Sequence, residues 1–519
     1  MPRTEKQTLV AAFLLACFAV PVQAQNAETP DPASTPVTID ARWGEENAGS
    51  WESEYRQQME SVQLRLQEAE ATIAALQERV AASDSMESEE RENIVGLLGE
   101  HWRNAGDPEL DIVSYQTHSA SGSHSSEKKW YEKYTLRGYS QLRINELTCK
   151  SDDSAPPNYI GDRSIGEDQG FYLRRARLIF AGDISDHVYV YLQPDFSGTI
   201  PNIVDSTYYA HLRDWYADLY IDTEKVYRFR TGLSKVPYGW ENMQSSSNRI
   251  PLDRSDSMNS ALRNERDLGV FFYWTPTPAQ DFFKEVLDLG LKGSGNYGVF
   301  ALGVYNGQGG ALLEQNDHLH TVTRLTLPMV LGDGQHLELG VQAYSGRHAV
   351  LSWPISPLGI GPAVRPAGTL ETGNRRGWLD ERIGGTFVWY PEPIGFQVEW
   401  NVGHGPALND TQTAIVDRSL YGGYAMSMVR LEGPRGGIWF PFFRWTYYQG
   451  GYKSELNAPY CHVDEWDIGA EYQISKQVEF TSSYLIANRT NTRPSSAADT
   501  LNYGQFEGQV ARFQLQVNY

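Results

Sequence analysis

The chain closes on Gln509-Val-Ala-Arg-Phe-Gln-Leu-Gln-Val-Asn-Tyr519, a stretch that alternates without a slip. Ala511, Phe513, Leu515, Val517 and Tyr519 share one face, and Arg512, Gln514, Gln516 and Asn518 share the other. A period of two is that of an extended strand, in which successive side chains point to opposite sides. The pattern recurs upstream. Leu337, Leu339, Val341 and Ala343 alternate with His336, Glu338, Gly340 and Gln342, while Phe396, Val398, Trp400 and Val402 alternate with Gln397, Glu399 and Asn401. A soluble sandwich would bury such an apolar face against a second sheet and has no need of a terminal aromatic residue. The connectors are unequal as well: Gly332-Asp333-Gly334, Pro391-Glu392-Pro393 and Ser475-Lys476 are short, whereas residues 345–377 and 235–266 are long. Short turns at one rim and long loops at the other are the asymmetry of a membrane barrel.

Strands are expected to begin near Tyr134, Phe171, Val188, Trp215, Val226, Asp267, Tyr297, His320, His336, Trp378, Gly395, Gly422, Gly437, Asp464, Gln477 and Gln505, sixteen in all. Residues 281–295 are read as part of a longer turn-side connection, with a further strand as the alternative. Beyond the N-terminus no segment approaches ~18 consecutive apolar residues, so a spanning helix is not expected. Within lipid every backbone N–H and C=O must then be paired inside the protein, which leaves a closed barrel. A mean hydropathy of −0.47 is compatible with walls that are apolar on one face only. The expected fold class is therefore all-β: a sixteen-stranded transmembrane antiparallel β-barrel over residues 130–519, preceded by an α-helical coiled coil. A last strand ending in an aromatic residue also resembles what outer-membrane barrels present to their assembly machinery.

Residues 1–24 have the form of a secretory signal: Arg3 and Lys6, an apolar run from Leu9 to Val20, and Val22-Gln23-Ala24 as the cleavage site. Lipoprotein processing at Cys17 is the alternative, disfavoured because apolar residues continue beyond it. Residues 25–50 read as a disordered lead-in. Across residues 51–83, Tyr55, Met59, Val62, Leu66, Ala69, Ile73, Leu76 and Val80 alternate spacings of four and three, the seam of a coiled coil. A lone helix packing on its own chain is the competing reading. Residues 84–129 read as a linker with a short helical piece. The formal charge of −21 divides into +1 for residues 1–24, −14 for residues 25–126 and −8 for the remainder, so most of the acidity lies in the extension. Cys149 and Cys461 form a candidate disulfide in an oxidising compartment, with two separate thiols as the alternative.

Phe171-Tyr-Leu-Arg-Arg-Ala-Arg-Leu-Ile-Phe180, residues 188–196, Arg228-Phe-Arg-Thr-Gly-Leu-Ser-Lys-Val-Pro-Tyr-Gly239 and Asn264-Glu-Arg-Asp-Leu-Gly269 resemble, in order and spacing, the N-terminal half of the phosphate-selective porin O/P family. The resemblance implies a trimeric sixteen-stranded channel whose third external loop folds inward. It implies bacterial outer-membrane lipid as surroundings, a homotrimer, small hydrophilic solutes or anions such as phosphate as permeants, and an N-terminal extension in the periplasm. By alternation Arg175, Arg177, Arg228 and Arg230 face inward. Arg174 matches the family's paired arginines but points the other way by period two. The long third loop and its flanks add Lys235, Arg249, Arg254, Arg263 and Arg266, balanced by Glu241, Asp253, Asp256 and Glu265. A cationic lumen suits anions because the arginine fork matches phosphate oxygens. The bland alternative is that these arginines and acids pair and brace the loop.

No G-x-S-x-G, H-E-x-x-H or metal-ligand spacing is present, so no enzyme, cofactor or metal site is expected, nor a nucleic-acid partner. The alternative function is a general or cation-preferring porin that also tethers the outer membrane to the cell wall through its coiled coil.

Overall fold

A computed structural model describes residues 133–519, apart from residues 153, 155–156, 158, 163, 167–169, 198–209, 311, 360, 434–435 and 492–503. The expected signal, lead-in, coiled-coil seam and linker lie outside the described residues. The sixteen wall strands are β1 (Tyr134–Lys150), β2 (Tyr172–Ser185), β3 (Val188–Asp195), β4 (His211–Tyr220), β5 (Tyr227–Lys235), β6 (Arg266–Trp274), β7 (Phe300–Tyr305), β8 (His320–Val330), β9 (His336–His348), β10 (Trp378–Trp389), β11 (Ile394–Leu408), β12 (Ile415–Val429), β13 (Ile438–Gly451), β14 (Tyr460–Gln473), β15 (Val478–Asn491) and β16 (Gly504–Asn518). A two-residue piece, Leu431–Glu432, continues β12 alongside β13. Each strand pairs antiparallel with the next, and β16 returns to β1, with Leu142 opposite Leu515 and Arg143 opposite Gln514. The sheet is thereby closed and has no free edge.

All sixteen expected strands are present, and the widest offset in a starting point is Ile415 against the expected Gly422. β12 begins in Ile415-Val-Asp-Arg-Ser, where charges interrupt the apolar alternation although the backbone is already paired with β11. The possible further strand in residues 281–295 is corrected: α1 (Thr277–Asp288) occupies this connector. Pro278 sits in its first turn, and Ala279, Phe282, Phe283, Val286 and Leu287 are its buried residues. Their spacing of three and four is the period of a helix with one apolar face.

The outer wall is apolar, with exposed Leu325, Val341, Ile383, Phe396, Val398, Ile468 and Leu515. Outward aromatic pairs stack along the wall, Trp439 on Tyr472 at 4.3 Å beside the short turn before β13 and Trp400 on Tyr447 at 6.1 Å farther along. The inner face is polar and carries Arg143, Arg324, Glu338, Gln342, Glu399 and Asn401, all buried. They are buried because the loop between β5 and β6, residues 236–265 (L3), folds into the barrel. Val236, Tyr238, Trp240 and Met258 are wholly enclosed there. L3 turns inward at Gly239, whose φ of 82° is open to glycine without strain.

The expected disulfide is corrected too. Cys149 is exposed on β1, Cys461 is buried on β14, and no disulfide joins them. The two strands are three intervals apart around the wall, or about 14 Å at ~4.8 Å per interval, twice the reach of a disulfide.

Candidate functional site

Period two sends Arg175 and Arg177 of β2 and Arg228 and Arg230 of β5 inward, as expected, and all four are buried. Arg174 joins them by a bulge. Gln141 of β1 lies opposite Arg175 while Leu142 lies opposite Leu173, so Arg174 has no partner in the ladder. A bulge re-aims the extra side chain, and Arg174 Nη2 donates to the Gly161 carbonyl at 2.8 Å and lies 3.4 Å from Asp253. This resolves why two adjacent arginines serve one lumen.

Most of these cations are already matched. Arg177 pairs with Asp195 at 2.7 Å, and Arg230 forks onto Asp218 at 2.7 and 2.8 Å. Arg228 lies 3.7 Å from the same Asp218. Arg266 holds Asp214 at 2.8 Å and Glu265 at 2.9 Å, and Arg254 also pairs with Glu265. Arg263 is exposed beside Gly309 and Gly310 of the β7–β8 loop, so it is not one of the cations enclosed with L3. Arg175, Lys235 and Arg249 stand apart. Arg175 donates to the Gln141 side chain at 2.7 Å, Lys235 to the Met243 and Gln244 carbonyls at 2.9 and 2.7 Å, and Arg249 to the Pro251 carbonyl at 3.2 Å. Among the described residues none of the three has a carboxylate within 4 Å.

The L3 acids are gripped by wall arginines that the sequence reading did not single out. Arg444 of β13 holds Glu241 at 2.8 Å, and Arg489 of β15 holds Asp256 at 3.1 Å. Arg143 of β1 bridges Asp162 at 2.6 Å and Asp253 at 2.9 Å, and Arg512 of β16 contacts the same two carboxylates. Asp162 belongs to the β1–β2 loop (L1), so this cluster ties L1 to L3. Burial and Asp253 push the Asp162 carboxyl up, but Arg143, Arg174 and Arg512 outweigh them and hold it at about 2. Burial is likewise overcome at Asp253, which the same arginines keep well below the usual carboxylate range. Alternation marks Arg143, Arg444, Arg489 and Arg512 as inward by the rule that found Arg175. The missing signal was which inward arginines L3 would reach.

L3 touches the far wall as well. The Trp240 and Glu241 amides donate to the two oxygens of Glu399 at 2.6 and 3.1 Å, and Trp240 Nε1 donates to Glu338 at 3.2 Å. Arg382 donates to the Ser257 carbonyl and the Ser260 hydroxyl at 2.9 Å each. The loop therefore spans the lumen instead of lining one side. A polar cavity of about 40 Å³ remains among Asp162, Asp253, Arg444, Asp467 and Arg512, enough for water and too small for a hydrated solute. Among the described residues no His, Cys, Asp and Glu cluster suited to a metal is present.

Among curated proteins no relative matches the sequence significantly. Solved barrels align over most of their own length at low identity. An outer membrane protein of Vibrio cholerae, OmpT in its trimer form, is 9% identical, with 74% of this chain and 99% of that chain covered and a TM-score of 0.43. The outer membrane channel DcaP of Acinetobacter baumannii is 12% identical, with 74% and 97% covered and a TM-score of 0.43. Salmonella typhi OmpF, in complex with daunomycin, gives 10% identity, 74% and 97% coverage and a TM-score of 0.43. Likenesses this distant bear no weight for function. The sequence itself is decisive: from the first loop to the closing strand, residues 151–519 match the family described as phosphate-selective porin O and P, and the chain belongs to that family.

Proposed function

We propose that this outer-membrane channel passes small hydrophilic solutes by passive diffusion and weakly prefers anions, phosphate among them, and that it performs no catalysis. The reading is carried by Arg175, Lys235 and Arg249, cations at the level of L3 with no carboxylate within 4 Å among the described residues. An anion arriving there replaces neutral hydrogen-bond partners and displaces no competing acid. The preference is weak because Arg177, Arg228, Arg230, Arg254 and Arg266 are already matched by acids. The rim that holds the barrel's two chain ends faces the periplasm, where the N-terminal extension lies.

The chain assembles as a homotrimer, and the uneven wall supports this. β3 to β7 hold 8, 10, 9, 9 and 6 residues, whereas β8 to β16 hold 11 to 15. At ~3.3 Å per residue and a tilt of about 40°, the shorter strands rise roughly 15–25 Å, below the apolar band of about 25 Å that lipid demands. Their outward Trp215, Leu219, Phe229 and Val270 are then covered by neighbouring copies instead of lipid.

A second reading has one observation in its favour: Glu399, Asp467 and Glu479 face the lumen with no cation within 4 Å among the described residues. A general or cation-preferring porin, tethered to the cell wall by the extension, would use these acids. The reversal potential of the reconstituted chain in a potassium chloride gradient separates the two. A value on the chloride side supports the anion reading, and a value on the potassium side overturns it.

A further inference from the structure

The connector between β6 and β7 crosses the barrel. It leaves the wall at Thr275 and forms α1, whose Phe282 ring lies 5.3 Å from His336 and 6.2 Å from Tyr390. After α1 the chain enters the lumen: Leu291, Lys292, Ser294 and Tyr297 are buried. Lys292 Nζ reaches Glu471 of β14 and sits 5.1 Å over the Phe440 ring of β13. β14 is eight strands around a ring of sixteen from β6, so Lys292 has reached the opposite wall. The chain then returns, and Arg228 of β5 donates to the Asn296 carbonyl.

L3 rests directly on this strap. Gln244 Nε2 donates to the Lys292 carbonyl at 2.6 Å and Asn248 Nδ2 to the Gly293 carbonyl at 2.8 Å. The strap therefore lies below L3, on the turn side, in series with it. Its ends are Gly290 (φ 67°) and Gly298 (φ 80°), a residue type to which φ of either sign is open without strain. Among the described residues one ion pair, with the Phe440 ring beneath Lys292, holds it at the far wall. Lys292 and Glu471 are both buried, and separating such a pair without its partner is strongly unfavourable. Glu479 on the neighbouring strand is the other acid facing Lys292, and Gln473 donates to Glu471 at 3.0 Å.

We propose that residues 289–298 are a second gate, on the turn side of L3, latched by the Lys292–Glu471 pair and hinged at Gly290 and Gly298. The gate rests on the channel reading above. When the latch is closed the strap obstructs the lumen from β6 to β14. When Lys292 leaves Glu471 the strap withdraws toward α1, which stays anchored by its own apolar face.

The test is single-channel recording of the full-length chain in planar bilayers. Lys292→Gln and Glu471→Gln each raise open probability severalfold. In a chain carrying Lys292→Cys and Glu471→Cys, a bifunctional methanethiosulfonate linker across the pair abolishes current and a reductant restores it, which also shows that this variant is folded. If the wild type conducts and the linked pair conducts as it did before linking, the gate is overturned while the channel stands. If no variant carries current, with or without reductant, the channel reading falls and takes the gate with it.

Discussion

L3 and the strap, two inserts that meet in the lumen, are held in opposite ways. L3 enters from the loop side with four acids, Glu241, Asp253, Asp256 and Glu265, each met by arginine from the wall or from L3 itself. The strap enters from the turn side and reaches the far wall through one ion pair, Lys292 with Glu471. Distributed charge pairs make an insert permanent, because no single loss frees it. A lone pair makes an insert releasable. Gln244, Asn248 and Arg228 add hydrogen bonds to the strap's carbonyls, so it is the number of charge pairs, more than burial, that separates a lining from a gate.

The largest effect is expected where the L3 grip is broken. Arg143→Ala with Arg512→Ala leaves Asp162 and Asp253 enclosed with little compensation, a cost of about 3–5 kcal/mol. Thermal unfolding in detergent and proteolysis of L3 should both shift, whereas Lys292→Gln should leave L3 protected. Equal loss of protection in the two variants would erase the distinction between the inserts.

Acid should act next, and on L1 and L3 first. Asp162 has its carboxyl held at about 2, below the ordinary value near 3.9, so its contribution is fully present above that ordinary value and is lost as pH falls through about 2. The contribution is on the order of 2 kcal/mol. Protection factors of the L1 and L3 amides, with the pH dependence of intrinsic exchange divided out, should be flat from pH 7 to about pH 5 and fall steeply toward pH 2. Protection already falling at pH 6 would show that Asp162 is not the clasp.

A smaller effect concerns selectivity. Arg175→Gln with Arg249→Gln removes cations that no carboxylate neutralises, and should move the reversal potential toward that of potassium. Arg230→Gln releases Asp218 and should move it the same way, by adding an acid to the lumen. The smallest effect is none at all: reductant should leave the unfolding temperature unchanged, since Cys149 and Cys461 are not joined, and of these two only Cys149 should label in the folded barrel.

The wall was legible because a period of two is written residue by residue, as in Phe513, Leu515 and Val517. The inward direction of Arg175 and Arg230 follows from the same rule. Three things were not legible. Alternation gives the face of a residue but not its position around the circumference, so Cys149 and Cys461 looked pairable from three strand intervals apart. Arg174 needed a bulge, which depends on register across two strands. The strap was hidden because its helix is read at a period of 3.6, through Ala279, Phe282, Phe283, Val286 and Leu287, and because only the fold places Lys292 opposite Glu471.

A closed barrel in lipid requires Phe513 and Leu515 of β16 to face the membrane and Gln514 and Gln516 to face the lumen. Bimane attached at single cysteines introduced at these four positions, with Cys149 and Cys461 replaced by serine, can be read in vesicles of brominated lipid. The barrel predicts strong quenching at 513 and 515 and little at 514 and 516. Uniform quenching along the strand, or none, would contradict it.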